Sequence, residues 1–202
     1  MPPLFRKATR DDLDAIAAIY ERTHDEEEAG RTTIGWVRDI YPTHTTAEAA
    51  LSRDDLFLAE SNGCIVGAAI INHLQGAEYA SAPWTIEAPD DAIMVLHTLV
   101  IDPAVKSHGL GSAFVAFYEQ YAKANGCLAL RMDTNVRNIP ARTLYNKLGY
   151  QEITTVPCQF NGIDGIELVL LEKKLIDTKN PPVTACRWRI FYTKRSIPPE
   201  MA

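Results

Sequence analysis

The sequence predicts a layered α/β or α+β domain, helices sandwiched onto one mixed sheet, and three observations carry that prediction. Strand-like runs joined by tight turns recur in both halves of the chain. Amphipathic helical runs stand between them, and around Ile101 an apolar strand, a glycine-bearing loop and a helix follow one another. The chain has 202 residues, 47% apolar and 23% charged, enough for one domain with a full core and not the composition of a disordered chain.

In order, residues 4–8 read as an extended segment. Thr9 with Asp12 three positions on marks a helix start, and Leu13, Ile16, Ala17 and Tyr20 keep one helix face apolar. The run Asp25-Glu26-Glu27-Glu28 fits either a solvated helix end or steering of a cationic substrate. Two short helices are expected over residues 33–40 and 46–51, separated by Tyr41-Pro42-Thr43. Residues 56–60 and 65–71 are apolar and partly β-branched, with Ser61-Asn62-Gly63 as turn chemistry between them, so they read as a hairpin. A polar, Pro-containing excursion over residues 76–91 leads to a long strand, residues 93–101, closed by Asp102-Pro103. Leu110, Ala113, Phe114, Phe117 and Tyr121 then recur at helical spacing until Asn125-Gly126. Residues 127–132 form the next strand. Asn138 caps a helix with Pro140 in its first turn, an apolar face of Ala141, Leu144, Tyr145 and Leu148, and Gly149 as its stop. Residues 150–157 and 166–171, joined through Asn161-Gly162 and Asp164-Gly165 turns, make a closing hairpin.

Several function classes fall away. The longest apolar stretch, residues 65–71, has a glycine inside it and is far short of the roughly 20 residues of a bilayer-spanning helix. The start runs into charged sequence without the apolar core of a secretory signal, so a cytoplasmic protein is expected. Cys64, Cys127, Cys158 and Cys186 are scattered, with no Cys-x-x-Cys pair and no neighbouring His at ligand spacing, which speaks against a disulfide framework and for no metal site. The net charge of −6 argues against a surface built for nucleic acid or anionic membrane. The charge is uneven: residues 176–202 hold five basic against two acidic residues, a net of +3, leaving −9 on residues 1–175. We read residues 1–175 as one domain and 176–202 as a basic C-terminal extension, docking or disordered. Its stretch over residues 187–195 interleaves cations and aromatics, compatible with nucleic-acid contact or an added edge strand.

The most informative segment is Leu96-His97-Thr98-Leu99-Val100-Ile101-Asp102-Pro103-Ala104-Val105-Lys106-Ser107-His108-Gly109-Leu110-Gly111-Ser112. Glycines at a helix start let backbone N–H groups approach an anion, and the helix dipole adds about half a positive charge, so a pyrophosphate would sit well there. A tight strand-to-helix turn explains the same glycines. A P-loop fails because no Gly-Lys-Ser/Thr follows. A dinucleotide fingerprint finds Gly109, Gly111 and a downstream Asp133. However, Phe114 stands at its third glycine, residues 103–108 make too long a loop, and no second βαβ half follows.

Lys106-Ser107-His108-Gly109-Leu110-Gly111 resembles motif A, Arg/Gln-x-x-Gly-x-Gly/Ala, of the Gcn5-related N-acetyltransferase (GNAT) superfamily. Downstream, Asn138-Ile139-Pro140-Ala141-Arg142-Thr143-Leu144-Tyr145-Asn146-Lys147-Leu148-Gly149-Tyr150 is similar to motif B, Asn-x-x-Ala-x-x-Leu-Tyr-x-Lys-x-Gly-Phe. The likeness of layout covers residues 4–175. Two departures stand in motif A: Lys106 replaces the usual Arg or Gln, keeping charge but losing the planar fork, and Ser107 replaces a frequent glycine.

The resemblance implies an α+β fold (α/β sandwich), a single GNAT-like domain with a mixed, mostly antiparallel central sheet flanked by helices. It implies acetyl-CoA as donor and CoA as product, the acetyl group passing directly to a primary amine of a small molecule or peptide without metal or covalent enzyme intermediate. The pantetheine arm would pair with the main chain of Leu99, Val100 and Ile101. The pyrophosphate would meet the amides of Lys106, Ser107, His108, Gly109, Leu110, Gly111 and Ser112. Tyr145 matches the motif B tyrosine and is the expected general acid; a phenol near pKa 10 can protonate a thiolate whose conjugate acid is near 8.5. Asn138 would bind the cofactor arm, a role compatible with capping its helix. His97 is the expected base, since neutral imidazole accepts protons near pH 7, and it resembles the proton-shuttling histidine of the arylalkylamine acetyltransferase branch. Strand alternation sets it on the face of Val95 and Leu99, opposite Thr98 and Val100; a structural histidine is the other reading. Asp133 would orient the amine or act through water. Trp36, Tyr41 and Phe160 would wall an acceptor pocket suited to amines, or simply pack. His44 and His73 are read as structural or exposed. A non-catalytic acyl-CoA-binding sensor is the rival reading. Among partners, nucleic acid suits the acidic body poorly, and a homodimer through the closing strands or the tail fits the layout.

Overall fold

The computed structural model describes residues 2–105 and 109–175. Within them, β1 (Leu4–Lys7), α1 (Leu13–Glu28), α2 (His44–Ser52), β2 (Leu56–Ser61), β3 (Cys64–Asn72) and β4 (Ile93–Ile101) are followed by α3 (Leu110–Ala124), β5 (Ala129–Asn135), α4 (Ile139–Lys147), β6 (Gln151–Phe160) and β7 (Ile163–Lys174). The sheet order is β1-β2-β3-β4-β5-β7-β6, and every neighbouring pair is antiparallel except β4 with β5. This is the mixed, mostly antiparallel sheet with flanking helices that the sequence implied. Lys106, Ser107, His108 and the extension over residues 176–202 lie outside the described residues.

Local chemistry sets most of the helix ends. The Asp12 carboxylate accepts from the Thr9 amide at 2.7 Å and the Thr9 hydroxyl at 2.8 Å just before α1. The Arg6 guanidinium forks onto that carboxylate and holds its pKa down at about 2. Thr43 caps α2, accepting from the Thr46 amide, and Asn138 caps α4, accepting from the Ala141 amide at 3.3 Å. Gly149, with φ +86°, ends α4 in the left-handed conformation expected of a stop glycine.

The helix expected over residues 33–40 does not form. Gly35 and Asp39 both have positive φ, +83° and +63°, and an isolated bridge pairs Val37 with Tyr41. The amides of Ile34 and Gly35 donate to the Glu27 carboxylate at 2.7 and 3.0 Å, which holds this stretch against the end of α1. The acidic run ending α1 is spent in the same way. Arg38 binds Glu21, Asp25 and Glu28, while Arg31 binds Glu26 at 2.7 Å. These carboxylates strap the following loop to α1. Two smaller shifts occur: β5 starts at Ala129 and continues three residues past Met132, and β7 runs through Asp164-Gly165, leaving Asn161-Gly162 as the hairpin turn.

Each sheet face is covered. On one side α3 and α4 pack Phe114, Val115, Tyr118 and Tyr145 against Phe57, Met94, Leu96, Leu130 and Val169. On the other, α1 and α2 cover Leu56, Leu58, Ala68, Ile70 and Val100, and the excursion between β3 and β4 covers Ile93, Val95, Leu168 and Leu170. Burying each such large side chain stabilises the fold by about 1.5–3 kcal/mol. The excursion is clamped from below. Glu172, in β7, accepts from the amides of Thr85 (2.9 Å) and Ile86 (3.1 Å) and from the Thr85 hydroxyl (2.7 Å). It also pairs with buried Arg131 at 3.1 Å, whose guanidinium lies 4.0 Å over the Trp84 ring. Among the described residues no helix is long and apolar enough to cross a membrane.

Candidate active site

The two parallel strands at the centre of the sheet pair over only four positions, from Ile93 with Ala129 to Leu96 with Met132. Beyond Leu96, β4 pairs only with β3; beyond Met132, β5 pairs only with β7. Tyr118 of α3 marks the junction, its hydroxyl donating to the carbonyls of Met94 and Arg131 at 2.6 and 3.1 Å. Past that point the strands part around a cavity of about 200 Å³. Its walls come from both faces of the sheet: Tyr145 and Leu144 of α4 on one side, Tyr41, Phe160 and Leu168 on the other. The cleft therefore runs through the sheet.

A bulge in β4 shapes its floor. Ala68 pairs with Val100 and Ile70 with His97, so Thr98 and Leu99 together face the single residue Ala69, and Thr98 takes φ +52°. The extra residue overturns the expected alternation. Val100 joins Ile70 in the core beneath α1, while Leu99 and Ile101 turn to the α3 side. His97 keeps the face of Val95 but is separated from Leu99, and Val100 is on its own side rather than opposite.

The cleft gathers Trp36, Tyr41, His97, Leu99, Ile101, Gly111, Asp133, Asn138, Tyr145 and Phe160 of the residues singled out from sequence. Val100, Gly109, Leu110 and Ser112 do not line it: Val100 and Leu110 are buried in the cores, and Gly109, with φ +94°, precedes α3. The first-turn amides of Leu110, Gly111 and Ser112 have no partner inside their helix and remain donors for an anion. A Cβ added at Gly111 would stand 3.2 Å from Leu144, so this glycine lets α3 and α4 approach beside the cleft. The three aromatic rings meet edge-on, Trp36 to Tyr41 at 6.2 Å and Tyr41 to Phe160 at 5.9 Å, as one wall.

Four titratable groups face this space, Tyr41 with its hydroxyl bonded to Thr98, and three others. Asp133 accepts a hydrogen bond from the Tyr79 hydroxyl at 2.8 Å, and burial raises its pKa to about 7 against that bond, with a further upward push from Glu78. Burial, then the Asp133 charge, raises the Tyr145 hydroxyl above the ordinary phenol value, and that hydroxyl makes no hydrogen bond to the described residues. Burial lowers the His97 pKa, opposed by its bond to the Leu74 carbonyl. His97 Nε2 lies 3.1 Å from that carbonyl and 3.2 Å from Asn72 Oδ1. The Asn72 amide is itself oriented, donating to Asp55 at 2.8 Å and accepting from the Leu74 amide at 2.9 Å. Two acceptors at Nε2 put the proton there and leave Nδ1 with the lone pair. Asn138 donates to Thr134 Oγ1 at 3.1 Å while capping α4, so its side chain is fixed at the cleft edge.

Sequence reading missed Asn72, Thr98 and Tyr79. Thr98 Oγ1 hydrogen-bonds the Tyr41 hydroxyl, tying the loop after α1 to the bulge. Tyr79 lies inside the polar excursion, where nothing in the local pattern signals a buried tyrosine aimed at Asp133. His73 bonds the Ile93 carbonyl at 2.7 Å, and His44 lies near Asp14 and Glu48 at the surface. Cys64, Cys127 and Cys158 are free thiols, and among the described residues no cluster of three or more His, Cys, Asp or Glu could hold a metal ion.

The fold is shared with solved acetyltransferases. A GNAT-family acetyltransferase from Streptococcus agalactiae superposes with TM-score 0.71 at 20% identity, covering 87% of this chain and 96% of its own. A Salmonella typhimurium protein solved with its cofactor acetyl-CoA gives TM-score 0.61 at 17% identity, covering 91% of this chain and 100% of its own. Sequence carries the assignment further. The profile of the Acetyltransferase (GNAT) family matches residues 14–150, and the chain belongs to that family. An uncharacterised N-acetyltransferase of Methanocaldococcus jannaschii is 24% identical over 153 residues, which is 73% of this chain and 60% of the relative.

Proposed function

We propose that this protein is an N-acetyltransferase that moves the acetyl group of acetyl-CoA to a primary amine in a single ternary complex. The observation that carries the proposal is the parting of β4 and β5, which leaves the main chain of Leu99, Val100 and Ile101 without a strand partner on the side of a cleft reached by Tyr145, Asp133 and His97. An extended pantetheine arm fits such an edge as an added strand. The first-turn amides of Leu110, Gly111 and Ser112, unpartnered within their helix, suit its pyrophosphate, and Lys106, Ser107 and His108 precede them in sequence.

Acetyl-CoA supplies the activated thioester carbonyl; the chain supplies position and protons. Asp133, partly ionised near neutral pH, attracts and orients the acceptor amine. His97 is neutral at that pH, and its Nδ1 takes the proton the amine must lose. As the N–C bond forms and the C–S bond breaks, the Tyr145 hydroxyl, held protonated by burial, gives its proton to the departing sulfur. Trp36, Tyr41 and Phe160 shield the reacting groups from water.

Thermal unfolding with acetyl-CoA, CoA and NAD tests the first step. At about 100 times the dissociation constant, binding adds about 2.7 kcal/mol and raises the melting temperature by about 5–11 °C with both CoA forms and not with NAD. No shift with either CoA form would end the proposal. Tyr145→Phe should then lower thiol release from acetyl-CoA at least tenfold while the CoA-induced shift stays. Wild-type CoA binding without thiol release for any amine would favour the acyl-CoA sensor.

A further inference from the structure

A second cavity, of about 570 Å³, adjoins the cleft, and Tyr41, His97 and Phe160 line both. These three side chains are thus a partition with a chamber on each side. Most polar groups on the far side of the partition are already engaged. Arg53 pairs with Asp55 at 2.8 Å, so its charge is matched. Asn72 is spent on Asp55, the Leu74 amide and His97. Gln75 donates to Asp90 at 2.8 Å and accepts from Arg131.

Glu78 is the charged exception. It lines the second cavity, is half-buried, and has no hydrogen bond or ion pair with the described residues. Its charge pushes three neighbouring acids upward, Asp133, Tyr79 and Cys158. The Glu78 carboxylate, the far end of a flexible side chain, lies against the bare backbone of Gly76. An unmatched carboxylate in such a seat, facing a chamber that opens beside the candidate base, is a counter-charge waiting for a cation.

Resting on the acetyl-transfer reading above, we infer that the acceptor is a flexible amine carrying a second cationic group: one amino group reaches the cleft past Tyr41, His97 and Phe160 while the other, protonated, sits against Glu78 in the second cavity. The chemistry is that of an α,ω-diamine. A carboxylated amine is disfavoured because Arg53 is already neutralised by Asp55 and Glu78 would repel it.

The test compares three acceptors of five carbons each, 1,5-diaminopentane, pentylamine and 5-aminopentanoate, by thiol release from acetyl-CoA with the full chain. We expect kcat/KM for the diamine to exceed that for pentylamine at least tenfold, with 5-aminopentanoate lowest. Glu78→Gln should bring the diamine to the pentylamine level, the two being compared at one pH because removing this charge also lowers the Asp133 pKa, and Glu78→Asp should recover part of the preference. Equal use of diamine and pentylamine, a preference for 5-aminopentanoate, or an equal fall for both amines in Glu78→Gln would overturn the inference. Calorimetric titration of the same amines into the CoA-saturated protein reads the seat without turnover. Diamine binding that Glu78→Gln abolishes supports it even where acetyl transfer fails, and diamine binding no tighter than pentylamine sinks it even where transfer succeeds.

Discussion

Replacing Asp133 by Asn should stabilise the protein, and increasingly so as pH rises. The Asp133 carboxyl titrates at about 7 in the fold against an ordinary value of 3.8. Between those values the folded protein holds a proton that the unfolded chain has released, so stability falls with rising pH across that interval. A separation of about 3 pH units at 1.36 kcal/mol each makes the loss about 4 kcal/mol at pH 9, of which about 1.6 kcal/mol is already present at pH 5. Asn is neutral throughout and its Oδ1 still accepts from the Tyr79 hydroxyl, so the variant escapes this loss. At about 2–4 °C per kcal/mol for a chain of this size, its melting advantage should grow from a few degrees at pH 5 to about 8–16 °C at pH 9. Calorimetric melts at unit pH intervals measure it. A difference that stays flat from pH 5 to 9, or a variant less stable than the parent at pH 9, would refute the account of Asp133 as a carboxylate strained by burial and with it the reason for setting an ammonium group there.

Activity should carry the same signature: kcat/KM rises as pH climbs through about 7 in the parent. In Asp133→Asn that limb disappears, leaving a weaker inflection below 6.5 from His97, whose pKa burial lowers; an unchanged profile would remove Asp133 from the reaction. Glu172→Gln leaves a single side-chain oxygen for the Thr85 and Ile86 amides and turns an NH2 group on buried Arg131, and that unpaired charge should cost about 3–5 kcal/mol and about 6–20 °C of melting temperature; a loss under 2 °C would refute the clamp. Gly35→Ala places a side chain at φ +83° and against Asn135 in the cleft wall, whereas Gly63→Ala at φ +77° meets open space. The second should cost about 1–2 kcal/mol in urea unfolding and the first clearly more, with weakened CoA binding; equal costs would mean the loop beside Trp36 yields freely.

What the sequence made legible is what neighbours in the chain decide. The limits of α4 follow from Asn138, Pro140 and Gly149, each acting within one helical turn, and the structure keeps all three. The same holds for β4 and α3, whose ends are set by Asp102-Pro103, Gly109 and Asn125-Gly126. The loop after α1 escaped because its partners are side chains seven to seventeen residues away, Glu27 with the amides of Ile34 and Gly35, and Arg38 with Glu21, Asp25 and Glu28. No periodicity records such pairings. Much of the cleft was legible for a different reason: Tyr145, Asn138, Asp133 and His97 sit in or next to motifs, and a motif fixes identity at fixed offsets even where the surrounding backbone is unknown.

The face on which each β4 residue sits was the part that identity could not supply. A strand covered on one side only advertises its inward face by alternating apolar and polar residues, but β4 is buried on both, and its apolar run Ile93-Met94-Val95-Leu96 says nothing about which residue faces α3. Strict alternation was then carried across Thr98, a β-branched residue in the left-handed region, where sterics make such a conformation costly and hence unexpected. Tertiary contacts offset that cost: the Thr98 hydroxyl bonds Tyr41, and β3 holds Ala68 and Ile70 on either side of the bulge. The slip turns Leu99 and Ile101 toward α3 and leaves His97 on the far face, between the two cavities. A regular strand would have put His97 and Leu99 on one side of the sheet. The single extra residue is therefore what lets one strand border the α3 side of the cleft with Leu99 and the side of the second cavity with His97, and a deletion of Thr98 should cost activity even where the sheet still closes.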